Sequence, residues 1–392
     1  MKRTSKQLSL IPSGETGADP TPGTVARVFD AARLTQARHL AGMTKKEVAE
    51  AIKVTPAAVG QYESGVTRPR PDLIPLLAAT LSVPIAFFVA GRPHARVDAS
   101  KAHFRSLRSA RAWQRDKAIA HVKQVGELTG ALEKRVQLPP VDLPGFAGGE
   151  VHAGVELPRS PVEAARALRA YWRLGTRPIS HLVRRLEARG IVVDAPPPDH
   201  AGREVDAFSI ADLRPIMVLT ANRTDDVYRY RFTAAHELGH LVLHGDSAPG
   251  DTQHEREADA FAAEFLTPRD SILPELPARV DLRRLVELQR VWGVSVDSLL
   301  YRCREVGLLS DQSASRAWRR LAELRSQPGF VAESVSRYPG EQPVMLRQAF
   351  DLAAKETGLT VPELAHELGW AVSRTRELLG LTHQRPTLRL VP

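Results

Sequence analysis

In the stretch FTAAHELGHLVLH (232–244), His236 and His240 stand four residues apart, with Glu237 beside the first. On an α-helix, residues four apart project from one face a turn apart, so both imidazoles can serve one cation. A glutamate one step round lies beside any water on that cation. H-E-x-x-H on a helix therefore suits zinc-assisted hydrolysis, with Glu237 as general base. Small neighbours (Ala234, Ala235, Gly239) let other backbone elements approach. Three protein ligands are needed, and this run supplies two. His244 lies eight residues from His236, about 12 Å along a helix axis, which zinc bonds of about 2 Å cannot span. It is expected at the helix terminus, favourable near the negative end of the dipole.

The third ligand is sought in HEREADAFAAEFLTP (254–268), read as a second helix. At about 100° per residue, Glu255 shares a stripe with Ala258, Asp259, Ala262, Phe265 and Leu266. Glu257 falls with Ala260, Phe261 and Glu264. Unpaired carboxylates on the more apolar stripe are costly. Metal ligation by Glu255, with Asp259 bonding a ligand histidine from behind, satisfies both. Glu257 is the alternative ligand. Tyr171, Tyr228 and His254 are candidates for stabilising an oxyanion.

The elements that must position these groups are legible upstream. PVEAARALRAYWRLG and PISHLVRRLEARG have amphipathic helical patterns; GIVVDA, VDAFSI and RPIMVLT are strand-like. A small sheet followed by a helix from about Tyr228 to His244 is the α+β layout expected of a compact zinc peptidase. Downstream, DLRRLVELQRVWGVSVDSLLYRCREVGLL and LTVPELAHELGWAVSRTRELLGL each suggest a helix pair with a turn, expected as structural helices or as a dimer or effector surface.

HELGHLVLH with EREADAFAAEFLTP, together with VDAFS and RFTAAHELGH, strongly resembles the ImmA/IrrE family of zinc peptidases over roughly 160–270. The resemblance implies His236, His240 and Glu255 as zinc ligands and Glu237 as base. The family more often has Asn at position 259, and Asp keeps the proposed bond to a ligand histidine. Members cleave helix-turn-helix repressors, and fused forms carry a repressor-like module on the same chain.

Such a module is present here. Five short helices are expected between 25 and 90. Thr44 caps KKEVAEAI, and Thr55 caps PAAVGQYE with Pro56 at its first position. Two short capped helices joined by a tight turn make a helix-turn-helix, whose second helix enters the major groove. TKKEVAEAIKVTPAAVGQYESGVTRPRPDLIPLLAATLSVPIAFF resembles the repressor-type Xre family. Lys53 stands where that family's turn often has Gly; a left-handed backbone there costs on the order of 1 kcal/mol. Thr44, Lys45, Thr55, Ala57, Ala58 and Gln61 are the DNA-facing candidates, with Gln61 able to pair bidentately with adenine. Arg105, Arg108, Arg111 and Arg115 recur at helical spacing in 103–117 and are candidates for phosphate contact.

Charge agrees with that division. Of a net +9, residues 1–140 carry +11 and residues 141–392 carry −2, which points to a polyanion partner for the first part. The single cysteine, Cys303, excludes intramolecular disulfides and Cys-rich zinc sites. The expected fold class is mainly α with a small α+β zincin-like domain. Its parts are a flexible arm (1–24), a helix-turn-helix domain (25–92), a basic helical linker (93–140), a metallopeptidase domain (141–275) and a helical C-terminal domain (276–392). The expected function is a cytoplasmic, nucleoid-associated and homodimeric DNA-binding regulator, with a zinc peptidase that controls itself or a partner repressor by proteolysis. The alternatives are a metal-binding domain that senses a ligand or partner without cleaving, and an antitoxin-type regulator.

Binding of the full chain to its operator duplex is expected to weaken steeply with salt in gel-shift titrations. Gln61→Ala should relax preference at one base pair by about 1–3 kcal/mol. A variant with unchanged preference at every base pair would remove Gln61 from the readout.

Overall fold

The computed structural model describes residues 20–89, 102–104, 111–144, 146, 156–196, 207–210, 214–220, 226–244, 251–327 and 332–381. In chain order, helices α1 (Pro22–Arg27), α2 (Ala31–Ala41), α3 (Lys45–Ala51), α4 (Pro56–Glu63) and α5 (Leu73–Thr80) precede strand β1 (Ala102–Phe104) and the long α6 (Ala112–Glu133). Then come α7 (Pro161–Tyr171), α8 (Leu182–Glu187), β2 (Val192–Asp194), β3 (Ala207–Ile210), β4 (Ile216–Leu219), α9 (Val227–Leu243) and α10 (Thr252–Leu266). The remaining helices are α11 (Arg269–Ile272), α12 (Leu282–Trp292), α13 (Val296–Glu305), α14 (Asp311–Arg325), α15 (Met345–Thr357), α16 (Val361–Leu368) and α17 (Val372–Leu378). This is the mainly α layout with a small α+β part that the sequence leads one to expect. No helix among the described residues is long and apolar enough to cross a membrane.

Two compact units gather these elements. The first takes the described parts of 1–96, 112–136 and 347–392; the second takes those of 97–111 and 137–346. The segment expected as a linker thus gives α6 to the first unit. There, Arg33 of α2 is fully buried and meets Glu127 of α6 at 2.6 Å and Gln36 at 2.8 Å. Just past the C-terminal end of α6, Lys134 and Arg135 pair with Glu367 of α16 at 2.9 and 2.6 Å. Gln124 accepts from Arg374 of α17 at 2.9 Å. The C-terminal helix pair α16–α17 therefore packs on α6.

In the second unit, a four-stranded sheet has the order β1-β3-β4-β2, with β2 parallel to β4 and the other pairings antiparallel. All residues of β3 and β4 are buried. The run 103–117 is not one helix, contrary to the expectation from its arginine spacing. Ala102–Phe104 pairs with Phe208–Ile210, and the helix starts only at Ala112. Pairing with the open edge of β3 satisfies backbone groups that a local helix would have satisfied internally. Arg105 and Arg108 lie outside the described residues.

Candidate metal centre

Helix α9 begins at Asp226, whose carboxylate accepts from the Tyr228 N–H, and α10 begins at Asp251, which caps the Gln253 N–H. The two helices approach closely at Gly239. A Cβ built there would stand 3.1 Å from Phe261 Cδ1 and 3.2 Å from Ala258 Cα. Glycine at this position lets α10 bring Glu255 against the two histidines of α9. From its other end α10 is held by Glu264, which accepts from Arg166 of α7 at 2.8 Å and from Arg302 of α13 at 3.1 Å.

His236 Nε2 and His240 Nε2 lie 3.0 Å apart, with Glu255 Oε2 3.4 Å from the first and Oε1 3.5 Å from the second. His236 is fully buried and His240 nearly so. Among the described residues, these three form the one group of histidine and carboxylate side chains spaced for a shared metal ion. Ligands about 2.0–2.1 Å from a tetrahedral ion are separated by about 3.3 Å, and the three contacts bracket that edge. The donor set fits zinc.

The far side of the first imidazole is settled by chemistry. Asp259 Oδ1 lies 2.8 Å from His236 Nδ1. An ionised carboxylate only accepts, so Nδ1 carries a proton, and Nε2 is the nitrogen turned toward Glu255 and His240. The Asp259 side chain is about half exposed, at 48%, and so sits at the edge of the apolar stripe on which the sequence had placed it.

Glu237, one step round the helix, is fully buried and points to the sheet. Ser209 of β3 donates its hydroxyl to Glu237 Oε2 at 2.8 Å. Ser209 escaped the sequence reading as a functional residue, although it lies in the VDAFS strand. The apolar run around it marks burial, and nothing in it marks the glutamate on the facing helix.

His244 is not a solvated cation at the helix end. It is 3% exposed, and burial lowers its pKa to about 4, leaving the imidazole uncharged near neutrality. Desolvation between the helices outweighs the attraction of the dipole. Its Nδ1 lies 3.1 Å from His240 Nδ1 and its Nε2 lies 2.8 Å from Glu257 Oε2. Glu257, the alternative ligand, is thus engaged with His244. Hydrogen bonds from His244 and Gln253 hold its carboxyl below the ordinary carboxylate range. The ring of His254 stacks on that of His244 with centroids 4.2 Å apart. Tyr171 donates to Asp142 at 2.8 Å, and the Tyr228 and Tyr338 hydroxyls meet at 3.3 Å.

In the first unit, α3 and α4 have the geometry of a helix-turn-helix. Thr44 and Glu47 form a reciprocal capping box, and the Thr55 hydroxyl accepts from the Ala58 N–H at 3.1 Å. Lys53 is left-handed with φ 57°. Thr55, Ala57 and Gln61 are exposed, Ala58 is half-buried, and Val59 is fully buried. Lys45 lies 3.2 Å from Glu63, which also binds Arg38.

The family model described as a helix-turn-helix matches residues 34–88, and the one described as an IrrE N-terminal-like domain matches residues 186–304. The chain joins an Xre-like helix-turn-helix domain to an ImmA/IrrE-type domain. No curated protein matches it. The ImmA/IrrE-type match takes in β2–β4, α9 and α10 and continues through α12 into α13, past the boundary at 275 expected from sequence.

Gly239→Val should force α9 and α10 apart, with a loss of about 1–3 kcal/mol in denaturant melts. An unchanged midpoint would show that this approach tolerates a branched side chain.

Proposed function

We propose that this chain is a DNA-binding transcription regulator whose ImmA/IrrE-type domain is a zinc-dependent peptidase acting on the chain itself or on a partner repressor. The observation that carries the reading is the convergence of three lone-pair donors in a buried site, with a carboxylate behind His236 fixing its tautomer. His236, His240 and Glu255 would hold the ion. A bound zinc supplies Lewis acidity at a carbonyl and at water. Glu237 is the general base: it takes the proton of the attacking water as the new C–O bond forms, then returns it to the amine as the C–N bond breaks. Its bond from Ser209 orients the carboxylate for both transfers. Asp259 orients His236.

In the first unit, Gln61 and the apolar Ala57 face the major groove, and cations near the N-terminus of α3 add phosphate contacts. The regulator acts as a homodimer on two half-sites about one helical turn apart, in the cytoplasm at the nucleoid.

A second reading, in which the domain senses a ligand without cleaving, is favoured by one feature. A cavity of about 630 Å³ lies beside Asp259, lined also by Phe232, Ala263, Tyr301 and Arg302. A molecule seated there would touch the residue that orients His236.

Metal analysis and a proteolysis time course on the purified full chain separate the readings. His236→Ala and Glu255→Ala should each lose zinc, since two protein ligands are too few for a tight site. Glu237→Gln should retain zinc and abolish cleavage of the chain or its partner repressor. If Glu237→Gln regulates like wild type while His236→Ala does not, the sensor reading holds and the peptidase reading falls.

A further inference from the structure

Helix α10 presents acids at every second position: Glu255, Glu257 and Asp259. Glu255 meets the two imidazoles, and Asp259 sits behind His236. Glu257 reaches neither; it bonds His244, which in turn bonds His240. Hydrogen-bond chemistry fixes the direction of this chain. An ionised carboxylate has no proton to give, so Glu257 must accept, and His244 must donate from Nε2. A neutral imidazole carries only one ring proton, so His244 Nδ1 is then an acceptor. His240 Nδ1, 3.1 Å away, must supply the proton in that contact. His240 Nε2 is thereby left as a lone pair, aimed at His236 and Glu255.

We infer that His244 and Glu257 are positioning residues, a two-member relay that sets the tautomer of His240 and so completes the metal site from behind. Asp259 does the same for His236 in a single step. The two imidazoles are thus preset by two carboxylates from the facing helix, one direct and one through an intervening ring. His244 is the next residue on the histidine face of α9, one turn beyond His240, and its ring spans the distance from His240 to Glu257. The His254 ring lies over one face of His244, shielding the relay from water. Metal-bound histidines depend on such partners for ring orientation and basicity. The inference rests on the zinc reading for its consequence, since the relay matters to the ion it prepares a ligand for.

The test uses the full chain with two readouts. In chelator-competition titrations, His244→Phe keeps the stacked ring but removes the acceptor, and Glu257→Ala removes the end of the relay. Each should weaken zinc binding about 10- to 100-fold. Glu257→Gln, whose carboxamide oxygen still accepts, should bind close to wild type; a merely structural role would not produce this rescue. In the metal-free protein, ring nitrogen spectra of ¹⁵N-histidine should show His244 protonated at Nε2, passing to a tautomer mixture in Glu257→Ala. Wild-type zinc affinity in both His244→Phe and Glu257→Ala, or a proton on His244 Nδ1 in place of Nε2 in the wild type, would overturn the relay. Absence of zinc uptake by the wild type would instead overturn the metal reading, and the ring spectra would still decide the relay.

Discussion

The close approach of α9 and α10 at Gly239 is the constraint on which the second unit depends. A side chain there would press on Phe261 and on the backbone at Ala258, and the separation of the helices would grow. Everything chemical on α10 is measured from that contact. Glu255, Glu257 and Asp259 meet His236, His240 and His244 only because the two backbones lie this near. The contact is apolar, between small residues and Phe261, whereas the site it builds is polar and buried. Packing thus sets distances that hydrogen bonds alone would not hold against water.

The cost of burying these polar groups explains how they are arranged. His236, Glu237 and His240 on α9 and His244 at its C-cap have almost no exposure, and each must find partners within the protein. They do so outward from the centre: Asp259 for His236, Ser209 for Glu237, and Glu257 through His244 for His240. The outer carboxylates are nearer solvent than the histidines they serve, with 29% of the Glu257 side chain and 48% of Asp259 exposed. The two carboxylates that back the histidines are therefore kept at the rim, where water lowers their desolvation penalty.

Much of this was legible in the sequence, for reasons tied to particular residues. Helical periodicity alone aligns His236 with His240 and Glu255 with Asp259, because each pair is one turn apart. Capping chemistry marks the starts of α3 and α4 at Thr44 and Thr55, where hydroxyls serve orphan N–H groups. What escaped involves contacts between elements distant in the chain. Pairing of Ala102–Phe104 with β3 spans about a hundred residues and overrode a plausible helical arginine spacing. Packing of α16 and α17 on α6 is accompanied by ion pairs between residues far apart in the sequence, such as Arg135–Glu367, to which local pattern is blind. His244 stands at the C-cap of α9, where the sequence places it, but its spacing from His236 says nothing of a bond to His240.

The central claim is that His236, His240 and Glu255 form a single zinc site whose imidazoles bind through Nε2. X-ray absorption at the zinc edge of the zinc-loaded full chain tests it most directly. The account predicts one ion per chain, with two imidazole nitrogens and light oxygen donors at about 2.0–2.1 Å. A first shell with three imidazoles, which would make His244 a ligand, or a chain that retains no zinc after gel filtration, would contradict it.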